Sequence, residues 1–398
     1  MNRNIATHRF FTQQTQRAFY ERVDGYISQE EGFVDRYERI RQQSGVGDLV
    51  RLDLGQNRRG CAPEVREFWR ALRSTEAPWN YLSAYPEIQG MELQGAIAGL
   101  HGVRPEWIQF SAGLEQMISM IAATFLENRD RFLVTDPGFF LFDEDSRRNG
   151  GIPLVLPLDE EGDFAWNERT LAEYEKVLQR LQPKLIWIAN PNNPTGRHMD
   201  PTWVERLVAL AEENLALIVI DEAYGEYADP DHGVLSASAL VGSYRNLIVL
   251  RSFSKAYGLA GIRVGYAMTS NREVATALRM HRTNYPISRT SFELAREALR
   301  HQQYLADVRR EVAEQRAFLL QELEDCRRVH WTVSEASIAM LRVQGLTADT
   351  VLERLERAGI LASAIGGEGV AGQHYIRVNQ GTPAENRRFV EVVKGLFG

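Results

Sequence analysis

The sequence predicts an α/β fold: a large unit with a mixed, mostly parallel sheet flanked by helices, joined to a smaller α+β unit. Three observations carry that expectation. Apolar runs at Phe132–Thr135, Leu185–Ala189, Leu217–Ile220 and Leu247–Leu250 have the length and β-branched content of strands buried on both faces. Helical stretches separate several of them; in Pro201–Glu213, Trp203, Leu207, Leu210 and Ala211 share one face. A chain of 398 residues is also too long for one compact core.

In chain order, residues 1–45 read as a helical arm, with Phe19, Val23, Tyr26, Phe33, Tyr37 and Ile40 making one apolar stripe. Such a stripe suits a helix lying on the protein's own body; packing on a second subunit, or roofing the site, is the sharper alternative. Residues 76–284 are expected to form the large unit, and residues 46–75 with 285–398 the small one. The small unit is read as a short strand (Leu52–Leu54), a long helix (Tyr304–Asp325), a strand (Ile338–Val343), a helix (Ala348–Ala358), a strand (Tyr375–Val378) and a last helix (Pro383–Leu396). A glycine-rich loop at 364–372 is either an exposed flexible loop or a flap, and Glu368 within it is a candidate contact for a cationic substrate end.

Composition narrows the function classes. A net charge of -7 offers no basic footprint for nucleic acid or an anionic membrane. An anionic substrate therefore needs locally placed arginines. No apolar run of 18 residues occurs and the N-terminus lacks an apolar targeting segment, so a cytoplasmic protein with no membrane partner is expected. Cys61 and Cys326 are the only cysteines and sit in no ligand-type spacing, so no metal site is expected.

The chemistry concentrates in strings placed just after predicted strands, where open α/β sheets bind ligands. Arg251-Ser252-Phe253-Ser254-Lys255 follows Leu247–Leu250, and Arg263 comes eight residues after the lysine. A lysine that forms an imine must shed its proton, and the two hydroxyls with a guanidinium suit a phosphate dianion. Asp221-Glu222-Ala223-Tyr224 follows another strand. A carboxylate beneath a pyridine nitrogen keeps that nitrogen protonated, although a lone Asp there reads equally as a helix N-cap. Asn190-Pro191-Asn192-Asn193-Pro194-Thr195-Gly196 fixes a tight loop after a third strand.

In this order the strings resemble the fold-type I pyridoxal-phosphate (PLP) enzymes, aminotransferase class I/II, over residues 50–398. "PNNPTG", "DEAY" and "SFSKAYGLAGIRVGY" are similar to the histidinol-phosphate aminotransferase subgroup, and threonine-phosphate decarboxylases share them. The resemblance implies a Schiff base on Lys255, which shuttles the proton; Asp221 at the ring nitrogen; Asn193 and Tyr224 at the ring oxygen; and Ser252, Ser254 and Arg263 at the phosphate. It also implies phosphate contact from a helix N-terminus near Gly113, Leu114 and Glu115, ring stacking by Phe139, and an α-carboxylate clamp at Arg377. Tyr85 matches a residue that reaches a neighbouring subunit's phosphate, implying a homodimer with shared active sites.

Two departures bear on the substrate. The subgroup's second arginine is replaced by Ser363, and its substrate loop here reads Asp53-Leu54-Gly55-Gln56-Asn57-Arg58-Arg59-Gly60. Asn57 is the candidate substrate contact there, while Arg58 and Arg59 suit either an anion or solvent. Losing a bidentate phosphate partner costs a few kcal/mol, which argues against histidinol phosphate. The expected function is aminotransfer from an amino acid or related amine. The alternative is a PLP-dependent lyase, cyclase or decarboxylase, for example on a hydroxylated basic amino acid. An inert PLP-binding regulator lacks support, since no DNA-binding segment is evident, and no G-x-G-x-x-G favours an oxidoreductase.

Overall fold

The computed structural model describes residues 37–73, 82–86, 90–228, 236–366 and 369–398. Most of the arm stripe and Glu368 lie outside the described residues; within them, residues 37–44 are helical and Ile40 is fully buried.

Strands are numbered along the chain from β1 (Val50–Arg51) and β2 (Ile108–Ser111). β3 (Arg131–Asp136), β4 (Ile152–Pro157), β5 (Leu185–Ala189), β6 (Leu217–Asp221), β7 (Leu247–Ser252) and β8 (Gly265–Met268) complete a seven-stranded sheet ordered β2-β8-β7-β6-β5-β3-β4. β7-β6-β5-β3-β4 is parallel; β8 is antiparallel to both its neighbours. The expected mixed, mostly parallel sheet is therefore present, with β2, β4 and β8 added to the strands read from sequence.

Why the central runs are apolar throughout is plain from the packing. Successive side chains point to opposite faces, and both faces are covered. Ile186 and Ile188 of β5, Ile218 and Ile220 of β6, and Leu247 and Val249 of β7 pack into one core. Their alternates Trp187, Val219, Ile248 and Leu250 pack into a second, against the helix Leu114–Phe125.

A further core lies under a four-stranded antiparallel sheet, β12 (Ser363–Ala364)-β13 (Tyr375–Asn379)-β10 (Ile338–Val343)-β9 (Val329–Trp331). The helices Ala348–Arg357 and Pro383–Phe397 cover it. The last helix opens with Pro383 and a capping box between Thr382 and Glu385. β1 pairs in parallel with β11 (Ile360–Leu361), which brings Val50 and Leu52 to this core. The observed strand, Val50–Arg51, lies just before the expected Leu52–Leu54 and shares no residue with it.

The expected limit at residue 285 does not coincide with a change of core. Phe292, Leu294, Ala295 and Ala298 pack in the core beneath the large sheet, as does Val65. The change falls inside the helix Gln302–Leu323: Leu305 and Val308 belong to the large-sheet core, Leu319 and Leu323 to the other. A helix of 22 residues is about 33 Å long and reaches both. Charge pattern alone shows no such handover.

Candidate active site

A cavity of about 1180 Å³ opens where the parallel strands end. β3 delivers Thr135 and Asp136 to its wall, the turn after β5 delivers Asn193, β6 delivers Asp221, and β7 runs into Ser254 and Lys255.

Asp221 and Glu222 are adjacent acids, and the strand sends them opposite ways. Glu222 accepts Ser236 Oγ at 2.5 Å and Ala237 N–H at 2.7 Å, and pairs with Arg251 at 3.4 Å. Asp221 lines the cavity and accepts Ala223 N–H at 2.8 Å. Burial lifts its pKa to about 7; the Ala223 N–H and the Lys255 charge oppose the rise, and Glu222 adds to it. Tyr224 is buried, lines the cavity and has no hydrogen-bond partner for its hydroxyl among the described residues.

Lys255 extends Nζ into the same space, 5.1 Å from the Tyr224 ring centroid, and donates to Leu54 O at 3.3 Å. Ser252 Oγ accepts the Ser254 N–H at 3.0 Å, which shapes the turn into the lysine. A side chain at Gly55 would strike both Tyr224 Oη and Lys255 Nζ, so glycine keeps that space open.

The helix Leu114–Phe125 starts at Gly113 with no side-chain cap, and Leu114 and Glu115 line the cavity. First-turn amides of such a helix present donors to an anion. The Gly113 N–H is already given to Ser111 O at 2.8 Å. Its contribution is space: at φ 83, it lies where any Cβ would collide with the Arg263 guanidinium. Arg263 Nη2 stands 3.8 Å from Glu115, which holds it beside this helix end. Phe139 lines the cavity, edge-on to Phe140 and Phe142 at 5.2 and 5.4 Å.

Arg377 projects from β13. Nη1 donates to Asn193 Oδ1 at 3.2 Å; Nη2 donates to Asp53 O at 2.5 Å and Ser363 Oγ at 3.2 Å. Its Nε is buried and has no partner among the described residues. Among the described residues no carboxylate forms a salt bridge with it.

Among the described residues, the structure brings all of the expected ones except Asn57 and Tyr85 to this cavity wall or its rim. Asn57 is the first exception: its amide donates to Ala256 O at 2.8 Å and Tyr304 Oη at 3.0 Å, and its Oδ1 accepts Arg59 N–H at 3.0 Å. A carboxamide so committed holds the backbone, and Gln56 faces the cavity instead. Arg58 and Arg59 are likewise taken by Glu385 and Glu311. Tyr85 is 76% exposed and stacks on Tyr285 at 4.6 Å, outside the cavity. Sequence reading missed Asp53 and its carbonyl, since nothing in a local string shows which backbone oxygen meets a side chain 324 positions away.

Among the described residues, no group of His, Cys, Asp and Glu is arranged to hold a metal ion, and no helix is long and apolar enough to cross a membrane. Residues 48–393 match the family model described as aminotransferase class I and II. Histidinol-phosphate aminotransferase 2 of Archaeoglobus fulgidus is 31% identical over 352 residues, covering 88% of this chain and 93% of that protein. The crystal structure of histidinol-phosphate aminotransferase from Sinorhizobium meliloti in complex with pyridoxal-5'-phosphate superposes with a TM-score of 0.77 at 26% identity, covering 90% of this chain and 94% of that one. L-threonine-O-3-phosphate decarboxylase from Porphyromonas gingivalis shares the fold at a TM-score of 0.72 and 20% identity, over 87% of this chain and 99% of that one. The chain therefore belongs to the aminotransferase class I and II family, in its histidinol-phosphate aminotransferase-like subgroup, and is a pyridoxal-phosphate-dependent enzyme.

Proposed function

We propose that the protein transfers the amino group of an α-amino acid to a keto acid, with the α-carboxylate held by Arg377 and the α-proton moved by Lys255. The observation that carries this reading is the Arg377 guanidinium, fixed on the cavity wall by neutral oxygens and balanced by no carboxylate among the described residues. A planar anion such as a carboxylate meets a guanidinium fork with two parallel hydrogen bonds.

The residues present fit the cofactor. The Tyr224 hydroxyl, unpaired among the described residues, and the Asn193 amide suit its ring oxygen, and Asp221, whose pKa burial lifts to about 7 even against the Lys255 charge, suits the ring nitrogen. Ser252, Ser254, Arg263 and the uncapped helix end at Gly113–Glu115 suit its phosphate. When bound, pyridoxal phosphate supplies an electron sink that stabilises the negative charge left at the substrate α-carbon. Lys255 would take the proton from that carbon and return it on the cofactor side, and Phe139 would cover the ring.

Asp136 tunes the choice of amino acid. Its carboxyl lines the cavity with no side-chain partner among the described residues, and burial raises its pKa. An amino acid with a cationic far end would supply the missing charge, whereas a phosphate there would be repelled. A homodimer, in which the exposed Tyr85 reaches a second copy's site, and a cytoplasmic location complete the proposal.

A spectral screen of the bound cofactor with amino acids, basic ones included, and with phosphorylated amines tests it, with product masses recorded. Amino acids should convert the cofactor to its amine form, and a keto acid should regenerate it. Consumption of substrate with no amine form and no need for a keto acid would instead establish the lyase, cyclase or decarboxylase alternative.

A further inference from the structure

We propose that Tyr37, Arg51 and Asp53 form a positioning clasp that aims the Arg377 fork, so that the helix at 37–44 governs how tightly α-carboxylates bind. The proposal rests on the reading of Arg377 as the carboxylate clamp.

The three side chains close on one another. The Asp53 carboxylate, 5% exposed, accepts Arg51 Nε at 3.0 Å, Arg51 Nη2 at 3.2 Å and the Tyr37 hydroxyl at 3.2 Å. Arg51 Nη2 also donates to the Tyr37 hydroxyl at 2.6 Å, and its guanidinium lies 4.0 Å over the Tyr37 ring. Tyr37 is thus held by its face and its hydroxyl together, and Ile40, one turn along, anchors the helix in the interior.

The same residue faces the site with its backbone. Asp53 O accepts both Arg377 Nη2, at 2.5 Å, and Ser363 Oγ, at 2.6 Å. Just before it, Leu52 is fixed on both sides, giving its N–H to Leu361 O and taking the Asn379 N–H, each at 2.9 Å. Ladder bonding ends there, so beyond Leu52 the peptide is held by side chains: the clasp on the Asp53 carboxylate, and Ser363 and Arg377 on its carbonyl. The clasp therefore sets the carbonyl that orients Arg377, and that carbonyl leaves the guanidinium charge whole because it is neutral. The following carbonyl, Leu54 O, accepts Lys255 Nζ at 3.3 Å, so one short segment touches both the clamp and the lysine.

A merely structural clasp would affect all substrates alike, whereas a clasp that aims Arg377 acts only where there is a carboxylate. The test titrates the holoenzyme spectrally with L-arginine against agmatine and with L-alanine against ethylamine, pairs that differ only by the carboxylate. Tyr37→Phe, which keeps the ring and loses the hydroxyl, should weaken amino-acid binding about 3- to 10-fold, the worth of one hydrogen bond, with amine binding unchanged. Asp53→Ala should weaken it further, and Asp53→Asn, which keeps an acceptor, should recover part of the loss. Equal weakening of amino acid and amine, or no change in either, overturns the clasp. Arg377→Ala serves as the reference: if it leaves the amino-acid preference intact, the carboxylate reading itself fails. If it removes the preference while the clasp variants are silent, only the clasp fails.

Discussion

On one wall of the cavity, Asp221 and Lys255 stand at and just beyond the ends of adjacent parallel strands, within one run of the chain. On the other, Arg377 is aimed by Asp53 and Ser363, which lie 324 and 14 positions away. The first wall is built from consecutive strand ends whose register is set by the ladder between β6 and β7. The second is assembled where β1, β12 and β13 meet, from groups that are neutral except for the arginine. On the proposed reading the difference is a division of labour: Asp221 and Lys255 on the strand-end wall serve the reaction, and Arg377 on the assembled wall serves recognition of the α-carboxylate.

If that division holds, changes on the first wall should cut turnover for every substrate. Lys255→Ala should cost the most, on the order of 10²–10⁴-fold or more in kcat, because it removes the acid–base group at the α-carbon. The visible absorption of lysine-bound cofactor should vanish while the protein stays folded. An unchanged spectrum would mean that another amine holds the cofactor.

Asp221→Asn probes the same wall through stability. In the cofactor-free protein Asp221 keeps its proton up to about pH 7, against an ordinary value of 3.8. Between those values the folded state carries a proton that the unfolded state has lost, so stability falls as pH rises through that window and levels off above it. The wild type should therefore lose roughly 1.4 kcal/mol per pH unit relative to Asp221→Asn across the window. Urea unfolding of both cofactor-free proteins at several pH values measures this, and parallel slopes would show that burial does not hold Asp221 neutral.

The two walls also differ in how far the sequence reveals them. Strand-end chemistry is legible because ligand-facing residues sit next to the apolar runs that define the strands, so Asp221, Lys255 and Asn193 could be named from local strings. The antiparallel β8 was not read, since Gly265–Met268 is short and its burial depends on β2 and β7 closing round it. Asn57 misled because an amide in a loop is equally suited to substrate or backbone, and only tertiary contact with Ala256 and Tyr304 decides. Ser363 stood out in the sequence only as a missing arginine. Its bonds to Asp53 and Arg377 are long-range and carry no periodic signature.

Arg377→Ala should raise KM for α-amino acids by about 10- to 100-fold, the worth of charge-assisted hydrogen bonds of about 1.5–3 kcal/mol, and should change kcat less. A comparable loss with amines lacking a carboxylate would erase the distinction between the walls.

Ser363→Ala gives the smallest and most discriminating effect. The serine donates to Asp53 O at 2.6 Å and accepts from Arg377 Nη2 at 3.2 Å, so its loss loosens the guanidinium without removing its charge. A neutral hydrogen bond is worth about 0.5–1.5 kcal/mol, which predicts roughly a 2- to 10-fold rise in KM for carboxylate substrates. Because β12 and β13 pair Ser363 directly with Arg377, the backbone should not move, and the cofactor spectrum should be unaffected. A shift in that spectrum or a fall in kcat equal to the rise in KM would show that the assembled wall reaches the lysine through the Asp53–Leu54 segment. In that case the two walls would act as one unit, and substrate choice and proton transfer could not be varied separately.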